Sequence, residues 1–262
     1  MCLIVVICQL RKQEVKMQNT EAEKNFFDDI VENSSWITFD KNGKNKILSL
    51  FAEFVKPKED EKLIDLGCGI GDITYDVFKR FKLNINAIDI SEKSIKYAKK
   101  NFEGINFEVG DMKKTRFKSN EFDIVLFAAT LHHFIKRKRI LKEAYRILKP
   151  EGRIFAFDPN MDSPVLRFFR ESSFKNTKMK TENEVLLNRR TVERELRDAG
   201  FKNIRMEASA GITFDIEYFK KLFPFPFYYV IYFYNPYQKV FDNFEIAKRS
   251  GEFLMTYAEK TL

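Results

Sequence analysis

The sequence predicts an α/β fold: a doubly wound sheet, mostly parallel with a last antiparallel strand, carrying a C-terminal cap or insert. Three observations lead there. Short apolar runs alternate with segments of helical periodicity from about Lys62 to Phe157, as parallel strands joined by crossover helices do. Three glycines at alternate positions, Gly67, Gly69 and Gly71, separate the first of these strands from the helix after it. The 262 residues are 44% hydrophobic, enough for one large elaborated α/β domain or two small ones.

Each element has its own warrant. Leu63, Ile64 and Leu66 predict a buried strand. Beyond the glycine turn, Ile73, Val77 and Phe81 recur on one side of a helix. Ile85–Ile90 (INAIDI) predicts a second strand ending at Asp89. Ser91 then serves as N-cap of a helix whose buried side is Ile95, Ala98 and Phe102. Ile105–Asp111 predicts a third strand, and Phe122–Ala129, almost wholly apolar, a fourth and central one. Ile140–Leu148 has helical spacing, and Lys149–Gly152 (KPEG) is expected to stop that helix. Arg153–Asp158 predicts the fifth strand.

The chain turns polar and basic from Met161 to Arg190, which predicts a cap, lid or loop. Thr191–Ala199 resumes a helix, stopped by Gly200, and Phe201–Glu207 predicts a strand. In the aromatic tract Phe223–Tyr237, two prolines and an Asn-Pro pair argue against one long helix or a buried strand. Phe253–Tyr257 suits a closing strand. These readings divide the chain into an N-terminal extension with helices, 1–45, and a main domain, 46–262. Within the latter, 46–160 forms a ligand-binding half, and 161–190 and 210–250 form cap elements.

Composition sets wider bounds. The 46 Lys and Arg outweigh 38 Asp and Glu by a formal +8, partly in bursts such as Lys136–Arg139. A solvated helix start explains that burst; attraction to an anionic partner is the alternative. Cys2, Cys8 and Cys68 lack metal-site or disulfide spacing, so a reducing cytoplasmic setting and no metal are expected. Cys68 reads as a small packing residue in the glycine loop. The first ten residues are apolar but too short to span a membrane, and no basic segment precedes them. No transmembrane segment is therefore expected.

The loop Leu63–Thr74 (LIDLGCGIGDIT) carries the chemistry. A dinucleotide or phosphate cradle takes G-x-G-x-x-G or a glycine followed by Lys-Ser or Lys-Thr. Here the third glycine comes one residue early, Asp72 stands in its place, and no Lys-Ser or Lys-Thr follows. Asp65 just before the loop repels a pyrophosphate and attracts a cation. The ligand so described is positively charged and lacks phosphate, which fits S-adenosylmethionine.

From about Leu63 to Asp158 the chain resembles a class I S-adenosylmethionine-dependent methyltransferase of the type 11-like subgroup. The matching pieces are LIDLGCGIGD, AIDIS, GDM, FDIVLFAATLHHF and LKPEGRIFAFDPN, in family order. The resemblance implies a Rossmann-like sheet and S-adenosyl-L-methionine as cofactor. It implies that Gly67, Cys68, Gly69 and Gly71 bring backbone against the methionine part and that Asp65 orders that site. Asp89, about twenty residues after Gly67, is then placed for the ribose hydroxyls, with Ile90 beside it. By the same resemblance Asp111 meets the adenine amino group, Met112 flanks the ring, and the Ala128 carbonyl meets the ammonium.

His132 and His133 are the only histidines and lie just past the fourth strand. One of them as a general base and a packing or capping role stand as equal readings, with neither residue preferred. Asp158 and Asn160 end the fifth strand, where they are expected to line the acceptor pocket. The order Asp-Pro-Asn-Met differs from the Asn-Pro-Pro-Tyr type associated with adenine amino methylation. The acceptor stays open. A small molecule methylated at oxygen, nitrogen or carbon is favoured over RNA or protein, over a non-catalytic cofactor-binding protein, and over a nicotinamide dehydrogenase. The aromatic tract leaves three readings: a pocket wall, core, or peripheral contact with a membrane. Oligomeric state is left undecided.

Overall fold

The computed structural model describes residues 38–164, 187–217 and 231–261, together with 19, 21–22, 24–25, 28, 31, 166–167, 185, 220 and 229. The apolar first ten residues, most of the polar stretch after Met161 and much of the aromatic tract before Ile231 lie outside them.

Among the described residues the order is α1 (Lys41–Val55), β1 (Lys62–Leu66), α2 (Asp72–Phe81), β2 (Asn84–Asp89), α3 (Glu92–Asn101), β3 (Asn106–Val109) and β4 (Phe122–Ala128). A 3-10 turn at Leu131–His133 leads to α4 (Lys138–Ile147) and β5 (Leu148–Pro159). Then come α5 (Arg189–Ala199), β6 (Lys202–Ser209), α6 (Ile231–Phe241), α7 (Ala247–Ser250) and β7 (Phe253–Glu259).

The seven strands lie in the order β3-β2-β1-β4-β5-β7-β6. Strands β1 to β5 run parallel, and β7 is antiparallel to both β5 and β6. The expected parallel sheet with a last antiparallel strand is present. β7 enters between β5 and β6, a placement no local pattern encodes. Strand order reverses between β1 and β4, so the loop after β1 opens at the switch point where such sheets bind ligands.

Two-residue alternation along the strands builds a core on each face. Ile64, Leu66, Val125, Phe127, Ile154 and Leu254 pack with Ile140, Leu141 and Ala144 of α4 and Val192 and Leu196 of α5. Leu63, Ile85, Ile124, Leu126, Phe155 and Met255 pack on the other face with Ile47 and Phe51 of α1 and Val77 of α2. α1 starts at an Asp40 cap, whose Oδ1 accepts from the Gly43 N–H at 2.8 Å. Its Phe51 and Phe54 rings meet Phe155 edge-on at 5.5 and 5.8 Å. A division at residue 45 therefore falls inside a core helix.

Two expectations need correction. Lys149–Gly152 does not separate helix from strand, because β5 already begins at Leu148, paired with Phe122. The register slips between Phe122 and Ile124, and Glu151 takes φ 64°, so the turn-forming residues are absorbed as a bulge inside the strand. The Asn235–Pro236 pair, likewise, does not break the chain: α6 runs through Pro236. Pro236 cannot donate to the carbonyl of Tyr232, a residue on the exposed side of the helix. Asn235 meanwhile pins the helix by exchanging hydrogen bonds with the Phe214 backbone at 3.2 and 3.0 Å.

Candidate active site

The glycine loop leaves β1 and is tied down at once. The N–H groups of Gly67 and Cys68 both donate to the Ile88 carbonyl, at 2.8 and 3.0 Å. Gly71 has φ 82°, and a Cβ there meets Phe107 at 2.7 Å. Only glycine fits that corner. Gly69 has φ 54° but faces nothing within 4 Å. Its N–H instead donates to Asp89 Oδ2 at 2.8 Å, which anchors the loop over the end of β2. Gly67 closes against Thr130 and Met112.

Carboxylates gather around this loop. Asp65 is fully buried, and its Oδ2 accepts from the Thr74 hydroxyl at 2.7 Å. Its Oδ1 has no hydrogen-bond partner. Burial, reinforced by the charges of Asp89 and Asp72, pushes the Asp65 carboxyl up to about 7. Asp89 accepts from the Ser91 N–H at 2.9 Å as well as from Gly69, and burial raises its pKa too. The two backbone donors hold the carboxylate rigidly at the strand end. Ile90 between them is half-buried.

The remaining sequence-predicted positions lie along the same carboxyl edge. Asp111 is exposed, with its Oδ1 accepting from the Lys113 N–H at 2.8 Å, whereas Met112 is buried. Ala128 ends β4, and the Thr130 hydroxyl reaches both its carbonyl and that of Gly67, each at 3.1 Å. Thr130, which no sequence motif singles out, thus ties the ends of β1 and β4. Cys68 is buried, and burial raises its thiol well above the ordinary value, so it is a packing group and not a nucleophile.

The structure separates the two histidines. Asp158 Oδ1 accepts from the His132 N–H at 3.0 Å and lies 2.9 Å from His132 Nδ1. Asp158 is fully buried, its Oδ2 has no hydrogen-bond partner, and burial pushes it up to about 7. Oδ1 already accepts a backbone N–H, an arrangement that suits Nδ1 as the donor of the ring contact when Asp158 is ionised. His133 stacks at a 40° tilt on His132, 4.0 Å between centroids, and its charge acts on Asp89 as well as Asp158.

Asn160 is also fully buried, but its amide is committed to structure. Its Nδ2 donates to the Gly251 carbonyl at 2.8 Å and its Oδ1 accepts from the Asp162 N–H at 3.1 Å. Glu252, just before β7, is buried opposite Tyr234 and Gln238 of α6, and burial raises its pKa. It follows Gly251 in a polar stretch, so nothing local marks it. Of the basic burst, Arg137 is buried and bonds Glu195 of α5 at 2.7 Å, while its neighbours are exposed.

Among the described residues no cluster of His, Cys, Asp or Glu could hold a metal. A groove of about 510 Å³ lies at the opposite, amino edge of the sheet. Its arginines are already occupied, Arg153 by Glu61 at 2.7 Å and Arg205 by Glu53 at 2.6 Å. The carboxyl edge instead carries buried carboxylate oxygens, on Asp65 and Asp158, that have no hydrogen-bond partner.

The glycine cradle at the switch point, with Asp65 and Asp89 beside it, lies within the stretch that a family model covers. Residues 57–200 match the family described as a methyltransferase domain. The chain belongs to the class I S-adenosylmethionine-dependent methyltransferases. It is 26% identical over 212 residues to phosphoethanolamine N-methyltransferase 3 of Arabidopsis thaliana, covering 74% of this chain and 41% of that protein. It is 32% identical over 116 residues to demethylmenaquinone methyltransferase of Thermotoga maritima, covering 44% of this chain and 49% of that protein. The methyltransferase thus spans about half or less of these two curated relatives. A solved structure of phosphoethanolamine N-methyltransferase 2 from Haemonchus contortus holds phosphomonomethylethanolamine and S-adenosylhomocysteine. It superposes with a TM-score of 0.61 at 17% identity, over 92% of this chain and 58% of that one, and shows the shared fold. None of the described helices is long and apolar enough to cross a membrane.

Proposed function

We propose that this methyltransferase binds S-adenosylmethionine in the glycine cradle and methylates a small-molecule acceptor, with His132 as general base. The contact between His132 Nδ1 and Asp158 Oδ1, made on the same sheet edge as the cradle, carries the reading. The cradle fits the cofactor on two counts: Gly69 opens on free space, and the buried, unpartnered Asp65 Oδ1 suits a cationic group. Asp65 and the Gly67–Gly71 backbone hold the methionine part, Asp89 and Ile90 the ribose, and Asp111 and Met112 the adenine. The Ala128 carbonyl receives the ammonium.

When bound, S-adenosylmethionine supplies a methyl group on an already activated sulfonium. The chain's own work is to align the acceptor and exclude water, which supplies about 7–11 kcal/mol of barrier reduction. It must also take the acceptor's proton. Asp158 fixes Nδ1–H, so Nε2 is the basic nitrogen, and the developing imidazolium is stabilised by the carboxylate. His133 is assigned to the cofactor side, next to Asp89, and Asn160 to positioning the end of β5. The relatives named for phosphoethanolamine and demethylmenaquinone support a small acceptor.

Transfer of labelled methyl to phosphoethanolamine, to a demethylated naphthoquinone, and to bulk RNA and protein tests this reading. Label in a small acceptor, lost in His132→Ala, supports it. Label confined to RNA or protein, or cofactor binding with no transfer to any fraction of a cell extract, overturns it.

A further inference from the structure

The outward side of α6 is not a protein surface of the ordinary kind. Ile231, Tyr234 and Gln238 face inward and are buried. The opposite side carries Tyr232, Phe233, Tyr237 and Val240, all exposed, with Phe233 at 79% and Val240 at 61%. Phe244 and Ile246 extend the apolar surface into the next turn, and Tyr229 stacks on Tyr232, 6.1 Å between centroids, to extend it backward. Contiguous apolar surface on this scale marks an interaction site, not a solvated helix face.

We propose that this face docks on an anionic lipid bilayer. The chemistry of the patch selects that occupant. Tyrosine and phenylalanine rings at helical spacing are the side chains that settle at the headgroup level. Lys239 and Arg249 stand exposed beside them. The acids of the same segment are neutralised within the protein, Asp242 by Lys46 and Glu245 by Lys248. The chain as a whole carries +8. A second copy is the poorer occupant, since two such faces bring like-charged rims together. The inner side of α6 lies against Glu252, whose carbonyl accepts the Asn160 N–H at the end of β5. Docking by this face therefore brings the carboxyl end of β5 close to the membrane.

Co-sedimentation with large unilamellar vesicles tests the docking alone, independent of any methyl transfer. The full chain is compared on pure phosphatidylcholine and on phosphatidylcholine mixed with phosphatidylglycerol. Binding is expected on the anionic vesicles, weakening as salt is raised. The double variant Phe233→Ser with Val240→Ser should lose at least tenfold in binding, while its melting temperature and S-adenosylmethionine affinity stay those of the parent. A Phe233→Trp variant should show a blue-shifted emission increment when anionic vesicles are added. No binding to either vesicle overturns the proposal, as does binding that the double variant retains. Light scattering that shows a dimer abolished by the double variant assigns the face to a second copy and overturns it equally.

Discussion

Asp158 Oδ1 receives both the backbone N–H and the ring Nδ1 of His132, at 3.0 and 2.9 Å. One carboxylate oxygen thereby sets the position of the turn and the orientation of the imidazole together. His133, one residue on, has its ring tilted across that of His132, and positive charge on it would favour the carboxylates of both Asp89 and Asp158.

His132→Ala is expected to lower kcat by on the order of 10²-fold or more, the usual worth of a general base, with cofactor affinity preserved. Asp158→Asn should lower kcat as well and change the acid limb of the pH profile, because the Asp158 carboxyl, which burial pushes up to about 7, is gone. His133→Ala should spare kcat relative to His132→Ala. Steady-state rates across pH decide this; equal losses in the two histidine variants contradict the assignment.

Asp89 accepts from Gly69 and Ser91, so it shapes the loop in addition to the ribose contact proposed for it. Asp89→Ala is expected to weaken S-adenosylmethionine binding at least tenfold, about 1.4 kcal/mol. Calorimetric titration checks it, and an unchanged affinity removes Asp89 from the site.

Asp65 titrates with a definite sign. Its carboxyl is raised to about 7 in the folded chain from 3.8. The folded state therefore holds the proton more tightly, and stability falls as pH rises from about 4 to about 7. Asp65→Asn should remove its part of that slope and be the more stable protein at about pH 8, by on the order of 1 kcal/mol, or roughly 2–4 °C in melting temperature. Cofactor binding has the opposite sign. A cationic ligand prefers the carboxylate, so parental affinity should rise through about pH 7 and that of Asp65→Asn should be lower and flat.

Gly71 and Gly69 separate folding from binding. Gly71→Ala combines φ 82° with a Cβ at 2.7 Å from Phe107, and overpacking of that kind costs about 1–3 kcal/mol beyond the backbone strain. Gly69→Ala bears a strained φ of 54° but touches nothing, so it should cost roughly 1–2 kcal/mol. Its methyl group projects into the open space of the cradle, and it should lose at least tenfold in cofactor affinity. Paired thermal melts and titrations measure both.

Local chemistry makes much of this molecule legible in the residues alone. Leu63–Leu66, Ile85–Asp89 and Phe122–Ala128 are apolar runs long enough to show their burial, and Ser91 caps its helix as its residue type suggests. α1 is harder to see, although Asp40 followed by Ile47, Phe51 and Val55 is a cap with an apolar stripe. The bulge at Glu151 and the helix through Pro236 defeat local rules because strand pairing and the Asn235–Phe214 contact outweigh intrinsic preference.

By itself the sequence determined the parallel sheet and the switch-point loop, and it raised the expectation of a cation-seeking cradle at Gly67, Gly69, Gly71 and Asp65. Those properties reside in contiguous residues, where backbone freedom and charge are written locally. Only the tertiary structure set Asp158 against His132, placed β7 between β5 and β6, and buried Glu252 behind an outward-facing aromatic helix. Each of these depends on which distant segment arrives alongside: Asp158 is 26 residues from His132, and α6 reaches the end of β5 through Glu252, whose carbonyl accepts the Asn160 N–H.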